Sequence, residues 1–155
     1  MMRENAVIIE NANADDIPAL VRLLNVLFSL EQDFSPNAQR QSDGLHLILQ
    51  NPDNAIIKIA RNETDHIIGM VSAQLVISSA QGARSAWVED MVIREDCRSQ
   101  GIGRQLLSSA LQWAKEKGAT RAQLLVDVDN DPALAYYDHL GWKSSRLNMR
   151  RLMLE

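Results

Sequence analysis

The stretch RSQGIGRQLL, Arg98 to Leu107, sets two glycines one residue apart where one residue pattern hands over to another. Before it runs AWVEDMVI (Ala86–Ile93), apolar and β-branched like a strand. After it comes a stripe of Leu106, Leu107, Ala110, Leu111 and Ala114 at helical spacing, with Gly118 placed to stop the helix. Strand, glycine turn and helix make a βα unit, so the chain reads as α/β. A helix N-terminus has unpaired N–H groups and the positive end of the dipole. Small residues let a phosphate reach those groups without meeting a Cβ. RSQGIG therefore reads as a pyrophosphate cradle flanked by Arg98 and Arg104, or as a loop that only turns tightly. A Rossmann fingerprint fits less well, because its third glycine falls on Leu106. A Walker A loop fails for want of Gly-Lys-Ser/Thr.

The same periodicities extend through the chain. Ala6–Glu10 reads as a strand. DDIPALVRLLNVLFSL has Ile17, Leu20, Leu23, Leu24 and Leu27 at helical spacing, with Asp at its start and Pro18 in its first turn. DGLHLILQ reads as a shorter helix. Ala55–Arg61 and Ile67–Ile77 read as strands joined by the NETDH turn, with the SSAQGARS loop after them. Ala122–Val128 is an apolar run with the look of a central strand. DPALAYYDHLG opens on Asp131–Pro132 and ends on Gly141, a helix. WKSSRLNMRRLML is expected to hold one or two final strands. With no repeats or linkers, residues 1–155 read as a single domain.

Bulk properties exclude several classes. A chain of 155 residues can bury a sizeable core. Hydrophobic residues at 46% and charged residues at 23% suit a soluble globular protein. No apolar run nears the ~18–20 residues of a membrane span. The N-terminal stretch lacks a signal-peptide core, so the expected location is the cytoplasm. Cys97 alone forms no internal disulfide, and His46, His66 and His139 are scattered, so no metal is expected. A net charge of −4 argues against nucleic acid as a partner. Residues 1–88 carry six Lys/Arg against ten Asp/Glu, whereas residues 89–155 carry ten of each. The second half is the better home for an anionic ligand and the first for a cationic one; a solvated face explains the same bias.

EDMVIREDCRSQGIGRQLL resembles the acetyl-CoA binding motif of the GNAT superfamily of N-acetyltransferases. That motif, Arg/Gln-x-x-Gly-x-Gly/Ala, falls on Arg98, Gly101 and Gly103. NDPALAYYDHLGW resembles the family's Asn-x-x-Ala-x-x-x-Tyr-x-x-x-Gly-Phe signature on Asn130, Ala133, Tyr137, Gly141 and Trp142, with Trp142 replacing Phe. The close resemblance covers about Trp87–Trp142, which would be the cofactor-binding core. It implies a central mixed sheet flanked by about four helices, with the parallel strands Trp87–Ile93 and Ala122–Val128 splayed apart. The pantetheine arm would pair with backbone near Met91, Val92 and Ile93. The pyrophosphate would sit on the amides of Arg98, Ser99, Gln100, Gly101, Ile102, Gly103 and Arg104.

The implied reaction is direct attack of a primary amine, from a small molecule or peptide, on acetyl-CoA as co-substrate. It needs a deprotonated amine, a donor to the thioester oxygen and an acid for the thiolate. The resemblance assigns the acid to Tyr137, whose phenol near ~10 suits a thiolate of similar basicity; a structural hydrogen bond is its other reading. Glu89 and Asp90 lie side by side, and plain alternation puts Glu89 with Met91 and Ile93, and Asp90 with Val88 and Val92. Glu89 resembles the acid of an Ile/Val-Glu-Asp pattern in amine acetyltransferases and is the candidate base through a water. The alternative is that both acids pair locally with arginines. The Val92 N–H is the candidate oxyanion donor, and Asn130 a helix cap that touches the cofactor arm. Cys97 lacks a positioned His, and His139 reads as a surface group. Glu31, Asp33 and Asp43, opposed by Arg40, would favour a cationic acceptor if they line its groove. A non-catalytic acyl-CoA-binding regulatory domain on the same fold, an unrelated nucleotide-binding α/β protein and a homodimer stay open.

Overall fold

A computed structural model describes residues 6–30 and 36–154. The chain forms two compact units, Met1–Leu125 and Val126–Glu155.

Among the described residues, the first unit holds five strands and three α-helices. In chain order these are β1 (Ile8–Asn11), α1 (Ile17–Leu30), α2 (Ala38–Leu49), β2 (Ala55–Arg61), β3 (Ile67–Ser78), β4 (Ala83–Ile93), α3 (Ile102–Glu116) and β5 (Ala119–Leu124). The sheet runs β1-β2-β3-β4-β5. The first three pairings are antiparallel and β4–β5 is parallel, so the sheet is mixed. A parallel neighbour needs a crossover, which α3 supplies.

Local chemistry sets the helix ends. Asn13 caps a 3-10 turn (Ala14–Asp16) through a reciprocal capping box with Asp16, and α1 follows directly. Arg61 ties this entry to the sheet: Nε donates to Glu10 at 2.7 Å and Nη2 to Asp16 at 3.0 Å. Helix α2 starts five residues before the DGLHLILQ pattern, because Asn37 accepts from the Arg40 N–H and caps it there.

Each face of the sheet has its own cover. Cross-strand partners point to the same side. Ile57, Ile59, Met70 and Val92 join Leu20, Leu23, Leu24 and Leu45 in one buried cluster, so this face takes α1 and α2. The other face takes α3, whose Ile102, Leu106, Leu107, Ala110 and Ala114 are buried. Gly69 allows that approach, since a Cβ there would lie 2.7 Å from Ile93 Cδ1 and 3.0 Å from Leu106 Cδ1.

Strand β4 departs from plain alternation. Glu89 pairs with Ser72 but Val92 with Met70, so three steps on β4 face two on β3. The extra residue is a β-bulge, and Asp90 carries it at φ +57°. Parity reverses there: Glu89 shares the α1/α2 face with Val92, while Ile93 shares the α3 face with Val88. Alternation alone had grouped Glu89 with Ile93, and it fails because it counts no inserted residue.

Strand β5 also differs from its sequence reading. It begins at Ala119, after Gly118 ends α3, and stops at Leu124. It is the last strand in the sheet order rather than a central one. Leu125 and Val128 are exposed, so the apolar content of Ala122–Val128 does not reflect burial on two faces.

The second unit holds α4 (Asp131–His139). Asn130 caps it, its Oδ1 accepting from the Ala133 N–H at 3.2 Å, and Pro132 lies in the first turn. Residues 143–154 form no strand. Apolar alternation becomes a strand only where the backbone finds a ladder partner, and Leu147, Leu152, Met153 and Leu154 are exposed.

Candidate active site

The β4–β5 ladder runs from Arg84↔Ala119 to Val88↔Leu124 and ends there. Glu89–Ile93 thus continues β4 with no register partner on β5, which is the splay expected of these strands. The bulge sits in this stretch. The Arg94 N–H donates to the Ile68 carbonyl at 2.7 Å. Hydrogen-bonded pairs recur every second residue in an antiparallel ladder, so Val92–Met70 is in the same phase. The Val92 N–H therefore turns toward β3, and those of Met91 and Ile93 turn toward the edge that β5 leaves. The inserted residue thus changes which amides face the gap.

The loop after β4 is held against the strand end. Arg98 Nε donates to the Ile93 carbonyl at 3.2 Å, so Arg98 fastens the loop. Ser99 at φ +64° and Gly101 at φ +78° turn the chain into α3. Gly101 is the N-cap and brings no side-chain cap to the first turn of α3. A Cβ on Gly101 would meet nothing within 4 Å, so its dihedral, not crowding, calls for glycine in the free protein. The amides of Ile102, Gly103 and Arg104 open the helix, while the Ile102 side chain is buried. Gln100 lines an open groove with Asn62, Thr64, Arg94 and Cys97. Arg104 lines another with Gln105, Ser108 and Gln112.

Glu89 is exposed on the α1/α2 face. The Trp87 indole N–H donates to its Oε1. Ser72 Oγ donates to its backbone carbonyl at 3.1 Å. The arginine partner considered for Glu89 is therefore not what holds it. Sequence reading missed both neighbours. Trp87 had a signal, since residues i and i+2 of a strand share a face; Ser72 lies seventeen residues away and had none. Burial, then its bond to Asp96, pushes the Cys97 thiol up, away from the thiolate form. Asp96 itself pairs with Arg94 at 2.6 Å.

In the second unit, Tyr137 is half-buried on α4. Burial, then the neighbouring Tyr136, raises its phenol above the ordinary value. Its ring meets Trp142 edge-on at 5.9 Å, and the Trp142 N–H donates to the Tyr137 carbonyl at 3.0 Å. The aromatic at 142 thus packs on the tyrosine of the same signature. His139 is exposed.

Of the acids considered for the acceptor groove, Glu31 and Asp33 lie outside the described residues. Asp43 is exposed and accepts from Gln39 Nε2 at 2.8 Å. Gln41 is 8% exposed, and neither of its amide atoms has a partner among the described residues. No helix among them is long and apolar enough to cross a membrane.

The model of the acetyltransferase (GNAT) family matches residues 20–142. The chain is 46% identical over 50 residues to a mycothiol acetyltransferase of Corynebacterium aurimucosum, covering 32% of this chain and 16% of that one. It spans 58% of a Bacillus subtilis relative, at 31% identity over 96 residues, so it covers less than two thirds of the length of these two. It is 23% identical over 145 residues to the aminoalkylphosphonate N-acetyltransferase of Salmonella typhimurium, covering 94% of this chain and 90% of that one. An aminoglycoside N-acetyltransferase solved with CoA superposes with a TM-score of 0.82 at 18% identity, over 99% of each chain. Glucosamine-6-phosphate N-acetyltransferase of Arabidopsis thaliana superposes with a TM-score of 0.76 at 17% identity, over 95% of this chain and 98% of that one. The solved structures share the fold.

Proposed function

The chain belongs to the acetyltransferase (GNAT) family, and from that premise we propose that it transfers the acetyl group of acetyl-CoA to a primary amine of a small molecule or peptide. The observation that carries the reading is the end of the β4–β5 ladder at Val88↔Leu124, next to the bulge at Asp90. A free strand edge there fits an extended pantetheine amide chain, which pairs as a strand would. The uncapped first turn of α3 behind Gly101 fits the pyrophosphate. When bound, acetyl-CoA supplies an activated acyl carbon and a thiolate leaving group.

The chain's own residues then have these tasks. The Met91 N–H polarises the thioester carbonyl. Glu89 takes a proton from the attacking amine through a water, which makes the nitrogen nucleophilic. As the N–C bond forms and the C–S bond breaks, the Tyr137 hydroxyl gives its proton to the sulfur. Burial favours this, because it keeps the phenol protonated.

A screen for free thiol released from acetyl-CoA over a library of amines tests the reading. Turnover with one amine class supports it. Tight acetyl-CoA binding without turnover on any amine would instead indicate a regulatory acyl-CoA-binding domain. Stabilisation by ATP or NAD and not by acetyl-CoA would refute the cofactor assignment.

A further inference from the structure

Glu89 is held at two points, and neither is an arginine. Ser72 Oγ anchors its backbone carbonyl from β3. The Trp87 indole N–H takes one carboxylate oxygen, Oε1. Trp87 and Glu89 stand two residues apart on β4, before the bulge, so they share the α1/α2 face. Trp87 also pairs in register with both Gln74 of β3 and Gln123 of β5, and its side chain is half-buried. The donor thus sits on a strand fixed from both sides, whereas Glu89 lies where the β5 pairing has stopped. An indole N–H is a donor with no acceptor function. It holds the carboxylate in place and adds no proton of its own to the reaction. With Oε1 occupied, Oε2 is the oxygen left for the water.

We infer that Trp87 is a positioning residue: its indole N–H fixes the Glu89 carboxylate in the orientation from which Oε2 accepts the amine proton. The inference rests on Glu89 being the base. An exposed glutamate otherwise spreads over many rotamers, and few of them present an oxygen to one reacting nitrogen. Aligned holding of the base affects the chemical step and leaves cofactor binding alone.

Two measurements on the full chain test it. The first is the proton–nitrogen spectrum of the three tryptophan indoles, with the Trp87 peak assigned by its loss in Trp87→Phe. That peak should shift between the wild type and Glu89→Gln, because the substitution replaces the oxygen that accepts from the indole. The second is acetyl transfer to a panel of spermidine, glucosamine and a peptide with a free N-terminus. Trp87→Phe should lower kcat at least tenfold with the KM for acetyl-CoA unchanged, and Trp87→His, which keeps a ring N–H, should recover part of it. Added to Glu89→Gln, Trp87→Phe should cost nothing further, since the two act as a unit.

A merely structural Trp87 would give additive losses, a raised KM and no rescue by His. If Glu89→Gln is impaired while Trp87→Phe matches the wild type, the base stands and the positioning role falls. If Glu89→Gln is itself fully active, the base reading falls and takes the positioning role with it. An indole peak indifferent to Glu89 overturns the contact whatever the turnover on the panel.

Discussion

Replacing Gly101 by alanine separates the backbone role of that glycine from its role toward a ligand. At φ +78° the residue is in the left-handed region, where an L side chain costs about 1–2 kcal/mol. No atom lies within 4 Å of the added Cβ, so crowding contributes nothing in the free protein. The expected stability loss is therefore the dihedral cost alone, about 1–2 kcal/mol, or roughly 2–4 °C of melting temperature per kcal/mol at this chain length. Gly82, in the β3–β4 turn, is a matched control: its φ is +63° and its Cβ also meets nothing. Gly82→Ala should lose similar stability. The two variants should part company in calorimetric titration with acetyl-CoA. If the pyrophosphate rests on the start of α3, the methyl group of Gly101→Ala occupies its approach, and affinity should fall more than tenfold, at least about 1.4 kcal/mol. Gly82→Ala should bind as the wild type does. A folded Gly101→Ala with unchanged affinity, or an equal loss in Gly82→Ala, would refute the cradle.

Other outcomes follow from the same geometry. Tyr137→Phe should lower kcat by ~10²–10⁴-fold with acetyl-CoA affinity nearly intact; a kcat within twofold of wild type, with chemistry rate-limiting, would make Tyr137 structural. Because burial raises this phenol, the acid stays protonated past the ordinary value of about 10, and the wild-type kcat should fall on the alkaline side only above it. Gln41→Met should raise the melting temperature, since neither atom of this buried amide has a partner among the described residues and an unsatisfied one costs about 1–3 kcal/mol; thermal unfolding that shows a loss would mean the amide is satisfied. Cationic amines should show the higher kcat/KM, and the advantage should shrink with salt; preference for anionic acceptors would remove the acidic residues of the first half from the account.

The starts of α3 and α4 were readable from sequence because they rest on backbone conformation, and glycine and helix-start residues report conformation directly. Gly101 at a left-handed N-cap and Asn130 capping α4 are both of this kind. The register of β4 was not readable. Asp90 gives no local sign that it will adopt a positive φ, and a single inserted residue exchanges the faces of everything after it. Plain counting therefore misassigned the faces of Ile93 and Val92. The end of the sheet was hidden for another reason. Ala122–Val128 and residues 143–154 have the composition of strands, but pairing is a relation between segments that neither segment encodes by itself.

The bulge also bears on which sequence changes β4 can absorb. Replacing Asp90 keeps the residue count, so Val92 stays in the α1/α2 cluster and Ile93 stays over Gly69. Deleting it would leave two steps on β4 facing two on β3, so the ladder would run on without a bulge. Val92 would stay opposite Met70 and Ile93 opposite Gly69, and what would be lost is the extra residue and the bend it brings to this stretch. The bulge is thus an addition to a ladder that is in register on both sides of it: it changes the strand's local twist and leaves the two packing faces as they are. Residue type does matter there, because position 90 sits at φ +57°, where Asp, Asn and Gly are tolerated best.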